Sequence, residues 1–183
     1  EFVMSKYALI VGISKYQDEM IADLPFAARD AESLGRCLEK DCGFEDVRVL
    51  ESRDGGAAVT SGVIAHELGR VSDAISSEDT FVFYFAGHGL RSEGKSLLLT
   101  SDAALRLPEL SLSYEMLKRG LARVECAQQV LIFDCCRSDP ELARGEEHVS
   151  AAPGFVRDIA TLAETEGAGG QATCVMFSCS EGQ

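Results

Sequence analysis

The sequence predicts an α/β fold: a three-layer α/β/α sandwich built on a mainly parallel sheet. Three observations carry this. Short apolar runs rich in strand formers recur along the chain, amphipathic segments with helical spacing alternate with them, and the runs are apolar almost throughout, as strands covered on both faces are. With 183 residues, 46% of them hydrophobic, the chain is long enough for one domain with a sizeable core.

Tyr7 to Ile13 is the first strand. Leu24, Phe26, Ala27, Ala31, Leu34 and Leu38 then recur at roughly helical spacing, and Gly43 after Cys42 marks a stop. Val47 to Leu50 reads as a second strand, and Val63, Ile64, Leu68, Val71 and Ile75 as an amphipathic helix over 60–76. Thr80 to Phe85 is a third strand leading into a loop, Leu97 to Leu99 form a small hairpin beyond it, and Tyr114, Leu117, Leu121 and Val124 mark a third helix. Val130 to Phe133 and Thr173 to Phe177 are the last two strands. Right-handed crossovers between parallel strands put helices on both faces. About 35 residues, 137–171, separate the last two strands, and so long a connection calls for a functional explanation. Within it, Phe155, Val156, Ile159 and Leu162 have the spacing of a short helix.

Composition narrows the function. A net charge of −13 disfavours binding to a phosphate backbone, so nucleic acid is not an expected partner. No apolar run approaches the roughly 20 residues that span a bilayer, and no secretory signal opens the chain, so the expectation is a cytoplasmic protein without a membrane partner. Glu1-Phe2-Val3 precede Met4 and read as a cloning remnant; residues 4–183 are the domain. Seven cysteines, at 37, 42, 126, 135, 136, 174 and 179, show no repeated metal-ligand spacing and suggest neither a disulfide framework nor a zinc site. Cys37, Cys42, Cys126 and Cys174 lie in or beside apolar segments and read as small buried hydrophobes.

Two motifs carry chemistry. Tyr84-Phe85-Ala86-Gly87-His88-Gly89 and Asp134-Cys135-Cys136-Arg137-Ser138 each stand where an apolar strand gives way to a loop, which puts His88 and Cys136 48 residues apart at strand ends that can lie side by side. In open α/β sheets the working groups gather beyond the carboxyl ends of the strands. A thiolate attacks a carbonyl, and a neighbouring imidazole takes its proton and returns one to the leaving amine. The pair suits acyl transfer, peptide hydrolysis in particular, without metal. The amides of Gly89 and Cys136 are placed to donate to an oxyanion. Strand alternation sends only one of the adjacent cysteines toward the loops, so Cys135 is assigned to the core. His66, in a helix pattern, and His148, in the long connection, have less telling surroundings.

These residues together resemble the caspase-like cysteine peptidases, the clan of caspases, metacaspases and paracaspases, and most of all a bacterial-type metacaspase-like peptidase. The resemblance covers nearly all of residues 6–183: the opening strand, Ala28-Arg29-Asp30-Ala31, and the two motifs, with the histidine-to-cysteine spacing that marks the clan. It implies His88 as general acid/base and Cys136 as nucleophile. Caspases hold a substrate aspartate with a glutamine two residues before the nucleophile and an arginine before the first helix; here those places have Asp134 and Leu24. An acidic pocket rejects aspartate and favours a cation, so the resemblance implies cleavage after Arg or Lys, with Asp30 and Asp134 in the pocket and Arg favoured for its bidentate fork. Asp30 reads equally as a helix-start carboxylate. Arg137 and Asp139 depart from the metacaspase pattern of histidine and glycine.

The resemblance also implies a chain that lacks its C-terminal strand and helix, with Glu181 as a third pocket carboxylate. Arg144 and Arg157 in the long connection are the expected processing sites of an inactive precursor, cut by itself or by an activating protease. The expected partners are a protein or peptide substrate with a basic residue at the cleaved position and a C-terminal companion fragment. No cofactor is required; calcium is left open, since Glu141, Glu146 and Glu147 read equally as a solvated loop. The alternative from another class is a catalytically inactive caspase-like scaffold.

Overall fold

The run from Tyr7 to Ile13 has no polar face, so a strand made from it needs cover on both sides, and the chain supplies that cover on one side with the helix that follows and on the other with later helices. The structure, a computed structural model, describes residues 4–136, 153–164 and 171–178. The strands are β1 (Lys6–Ile13), β2 (Asp46–Ser52), β3 (Thr80–Ser92), β4 (Lys95–Leu98), β5 (Leu112–Ser113), β6 (Gln128–Cys136) and β7 (Ala172–Phe177). The helices are α1 (Ala27–Asp41), α2 (Ser61–Ala74), α3 (Tyr114–Leu121) and α4 (Pro153–Ala160). Five strands pair in parallel in the order β2-β1-β3-β6-β7, and β4 and β5 add antiparallel to the far end of β3.

Strand alternation divides the core. Leu9, Val11, Phe81, Phe83, Phe85, Leu131, Phe133 and Cys135 face α2, α3 and α4, with Leu68, Leu117 and Phe155 among the side chains packed on them. Ala8, Ile10, Val82, Tyr84 and Ala86 face α1, which lies on them through Ala27 and Ala31. The mainly parallel three-layer sandwich expected from the sequence is the fold observed.

The helix ends obey local chemistry. The Thr60 hydroxyl accepts the Val63 amide at the start of α2, and Ser113 accepts that of Met116 at the start of α3. α1 has no cap of its own; the buried hydroxyl of Ser14 accepts the Ala28 amide at 2.9 Å, tying the segment after β1 to the helix. Gly43, at φ +69°, takes the left-handed turn that ends α1.

Two sequence expectations need correction. β3 does not stop at Phe85 before a loop; it runs on through Gly87-His88-Gly89 to Ser92. Where its parallel neighbours end, β4 folds back along it through a two-residue turn, Glu93 and Gly94, both at positive φ as a hairpin turn of matching twist requires. The cysteines also differ: Cys126 is buried, but Cys37, Cys42 and Cys174 are exposed. The first two sit on the solvent side at the end of α1, and Cys174 lies on β7, which among the described residues pairs only with β6 and whose alternate residues face out.

Gly12 sets how closely α1 approaches the sheet: a Cβ there would stand 2.5 Å from the Ala27 carbonyl oxygen and 2.6 Å from Ala31 Cβ. Gly12→Ala is therefore expected to destabilise the protein by about 1–3 kcal/mol. A urea titration should show a lower midpoint at unchanged slope; an unchanged midpoint would mean that α1 is free to shift.

Candidate active site

The site is built where β1 ends and β3 continues. Its last pair with β3 is Gly12 with Ala86, and the segment that follows, residues 14–24, crosses the extension of β3. This segment is closed on itself by the Leu24 amide donating to the Ser14 carbonyl at 2.9 Å and by the Lys15–Asp23 ion pair at 2.7 Å. It is tied outward by the Gln17 amide to the Ser101 carbonyl at 2.8 Å and by the Leu105 amide to Asp18 at 3.0 Å. Amide hydrogen bonds from Met20 and Leu105 hold the Asp18 carboxyl below its ordinary range, so it remains an acceptor at neutral pH.

His88 lies against this segment, only 5% exposed. Its Nε2 is 2.8 Å from the Ala22 carbonyl oxygen. A carbonyl can only accept, so Nε2 carries the hydrogen, and in the neutral ring the basic lone pair is on Nδ1. The His88 backbone amide donates to the Tyr16 hydroxyl at 3.0 Å, and the two rings meet at 5.2 Å between centroids, tilted by 37°. Gly87 leaves room for this approach: a Cβ there would come within 3.3 Å of the Tyr16 hydroxyl and 2.9 Å of the Phe85 ring.

β6 brings the second motif alongside. In the parallel ladder Ala86 pairs with Asp134, Gly87 with Cys135 and His88 with Cys136. Cys135 is taken up by the core, 1% exposed. Asp134 is half-buried, and its Oδ2 accepts the Tyr84 hydroxyl at 3.4 Å. Burial first, then the Asp134 and Asp30 carboxylates, push the Tyr84 phenol well above its usual value, so it remains a donor throughout the neutral range. Asp30 stands exposed in the first turn of α1, 3.9 Å from Arg29 Nε. That position suits a carboxylate at a helix start.

Gly89 follows His88 within β3, opposite Leu98, and a Cβ on it would stand 2.8 Å from the Phe155 ring of α4. The short helix expected inside the long connection is α4, held by Ser96 Oγ donating to Asp158 at 2.7 Å and by the Arg91–Asp158 pair at 3.7 Å. Arg157 is exposed on that helix. Arg137, Asp139, Arg144, Glu141, Glu146, Glu147, His148 and Glu181 lie outside the described residues, and His66 is exposed on α2. Among the described residues no group of three or more His, Cys, Asp and Glu side chains gathers as a metal site, and no helix is long and apolar enough to cross a membrane.

Three participants escape a reading of the sequence. The Ala22 carbonyl has no side-chain signature. Tyr16 sits in a polar stretch with nothing to mark its target 72 residues away. Tyr84 reads as one more apolar strand residue, although its hydroxyl is what Asp134 engages.

The family model described as the caspase domain, Peptidase_C14, matches residues 5–183. No curated protein is similar enough in sequence to count as a match. Among solved structures, protein GSU0716 from Geobacter sulfurreducens superposes with a TM-score of 0.56 at 19% identity, over 73% of this chain and 51% of its own. The Drosophila initiator caspase Dronc gives a TM-score of 0.47 at 18% identity, over 73% of this chain and 50% of its own. The chain thus spans about half the length of these structures.

The raised pKa of Tyr84 has a measurable consequence. Its contribution to stability is full below pH of about 10, where an unfolded tyrosine is still protonated, and is lost as pH rises toward the folded value. Tyr7 is raised as well, so the difference between wild type and Tyr84→Phe is the quantity to follow. In an alkaline titration of tyrosinate absorbance, Tyr84→Phe should remove a late-ionising phenol and flatten the alkaline loss of stability. Loss of an early-ionising phenol instead would contradict the burial of Tyr84 beside Asp134.

Proposed function

Because the chain belongs to the caspase domain family, we propose that it is a cysteine endopeptidase hydrolysing peptide bonds after arginine or lysine, through His88, Cys136 and a thioester acyl-enzyme. Family membership supports cysteine-peptidase activity on protein substrates in general terms. The observation that carries the finer reading is the ladder register that sets His88 across from Cys136, with Cys135 already committed to the core.

In this mechanism Nδ1 of His88 takes the proton of the Cys136 thiol while Nε2 keeps its hydrogen on the Ala22 carbonyl, which fixes the tautomer and favours the imidazolium that forms. The thiolate adds to the scissile carbonyl carbon. The oxyanion then receives backbone amide donors, with Gly89 and Cys136 as the proposed pair, and collapses as His88 returns the proton to the leaving amine. Water, deprotonated by His88, hydrolyses the thioester and releases the acid and the thiol. No metal enters these steps.

The pocket preference rests on Asp134, which accepts the Tyr84 hydroxyl, with Asp30 and Glu181 proposed as further members. Carboxylates in the pocket suit a guanidinium and repel an aspartate. For activation we favour Arg144 over Arg157, because Arg157 lies within α4 and a peptidase cleft takes an extended segment. Since the chain spans about half the length of the matched structure, a C-terminal companion segment is kept in the proposal and the full-length protein is the one to assay.

The test is hydrolysis of fluorogenic peptides ending in Arg, Lys or Asp, with and without calcium. Arg should be cut best, Lys next and Asp hardly at all, with Cys136→Ala and His88→Ala each costing at least about a thousandfold in kcat. Asp134→Asn should lower kcat/KM for the Arg peptide by about tenfold or more. Preference for Asp would overturn the acidic pocket, and no turnover even after deliberate cleavage of the connection would favour an inactive scaffold. Arg144→Ala should block maturation; a variant that matures and works normally would rule out self-processing at that site.

A further inference from the structure

We infer that Tyr16 is a positioning residue for His88, its hydroxyl serving as an acceptor for the buried His88 amide; the inference rests on the catalytic role proposed for His88. The backbone explains why such a group is needed. β1 stops pairing with β3 at Gly12 and Ala86, two residues before His88, and β4 takes up pairing with β3 at Gly89, so the buried His88 amide sits where one ladder gives way to the next. A buried amide must find an acceptor. The His88 amide finds the Tyr16 hydroxyl at 3.0 Å, while the His88 carbonyl accepts the Leu99 amide of the returning hairpin strand at 2.9 Å. The histidine backbone is thereby held at both its amide and its carbonyl.

The same tyrosine also orients the imidazole. Its ring lies 5.2 Å from that of His88, and the Ala22 carbonyl on Nε2 comes from the same closed segment six residues later. The Tyr16 amide approaches Asp23 at 3.4 Å, and Asp23 also pairs with Lys15, which holds the segment in one shape. Residues 14–24 thus form a cradle touching His88 at its backbone, its ring face and its outer nitrogen. A shift of the hydroxyl moves the strand and a loss of the ring loosens the imidazole, so backbone and tautomer are coupled through one side chain.

The phenol can be separated from the ring. Tyr16→Phe keeps the packing and removes the acceptor; Tyr16→Leu removes both. In a Cys136→Ala background, amide exchange and ring-nitrogen NMR of His88 need no turnover. Tyr16→Phe should accelerate His88 amide exchange about tenfold or more with the Nε2–H tautomer retained, and Tyr16→Leu should mix the tautomers. With Cys136 intact, Tyr16→Phe should lower kcat about ten- to hundredfold and leave KM within twofold, as misplacement of a reacting group does. Unchanged amide exchange would overturn the inference, as would faster exchange with unchanged kcat in an active enzyme. If the wild type proves inactive, the peptidase reading fails while the exchange and tautomer results still decide the role of Tyr16.

Discussion

The parallel register between β3 and β6 is the constraint on which the candidate site depends. Neighbouring strands lie about 4.8 Å apart, so a residue's partner in the ladder is its nearest backbone neighbour. A slip of one residue would set Cys135 across from His88 and exchange the faces of the two cysteines and of Asp134. The register is held at its start and through its middle. The Ala127 amide donates to the Asp79 carbonyl at 2.9 Å where the ladder begins, and the buried Gln129 side chain donates to the Leu121 carbonyl at 3.3 Å. Further up, Phe83 and Phe133 meet at 5.9 Å between ring centroids and Phe133 and Phe177 at 6.0 Å, so a slip would leave large rings without their partners.

Beyond that register, β1 ends before β3 does, and residues 14–24 pass beside His88. They supply a carbonyl at the histidine's outer nitrogen and a phenol at its amide. The core beneath is dense, with Phe85 and Phe155 lying close to Gly87 and Gly89. Glycines at these two positions let aromatic groups approach the strand closely on its core face.

Much of this was legible in the sequence because it rests on local patterns. Unbroken apolar runs announced β1, β3 and β6, helical spacing announced α1 to α4, and the two motifs pointed to the strands that pair. What was not legible depends on partners far apart in the chain. The continuation of β3 past Phe85 requires β4, whose turn, Glu93-Gly94, lacks the usual Asn-Gly or Asp-Gly signal. The exposure of Cys37 and Cys42 depends on which side of α1 meets the sheet, and that of Cys174 on its place on β7. A backbone carbonyl such as that of Ala22 leaves no mark in residue type, and the bond from the Tyr84 hydroxyl to Asp134 joins residues on two different strands.

The most direct test of the central pairing needs no substrate. The rate at which iodoacetamide labels each cysteine can be followed by mass spectrometry across pH, with exposed Cys37, Cys42 and Cys174 as internal references. Cys136 should label faster than these near neutral pH, and His88→Ala should bring its rate down to theirs or below. Labelling of Cys136 at the same rate with and without His88 would contradict the pairing of imidazole and thiol.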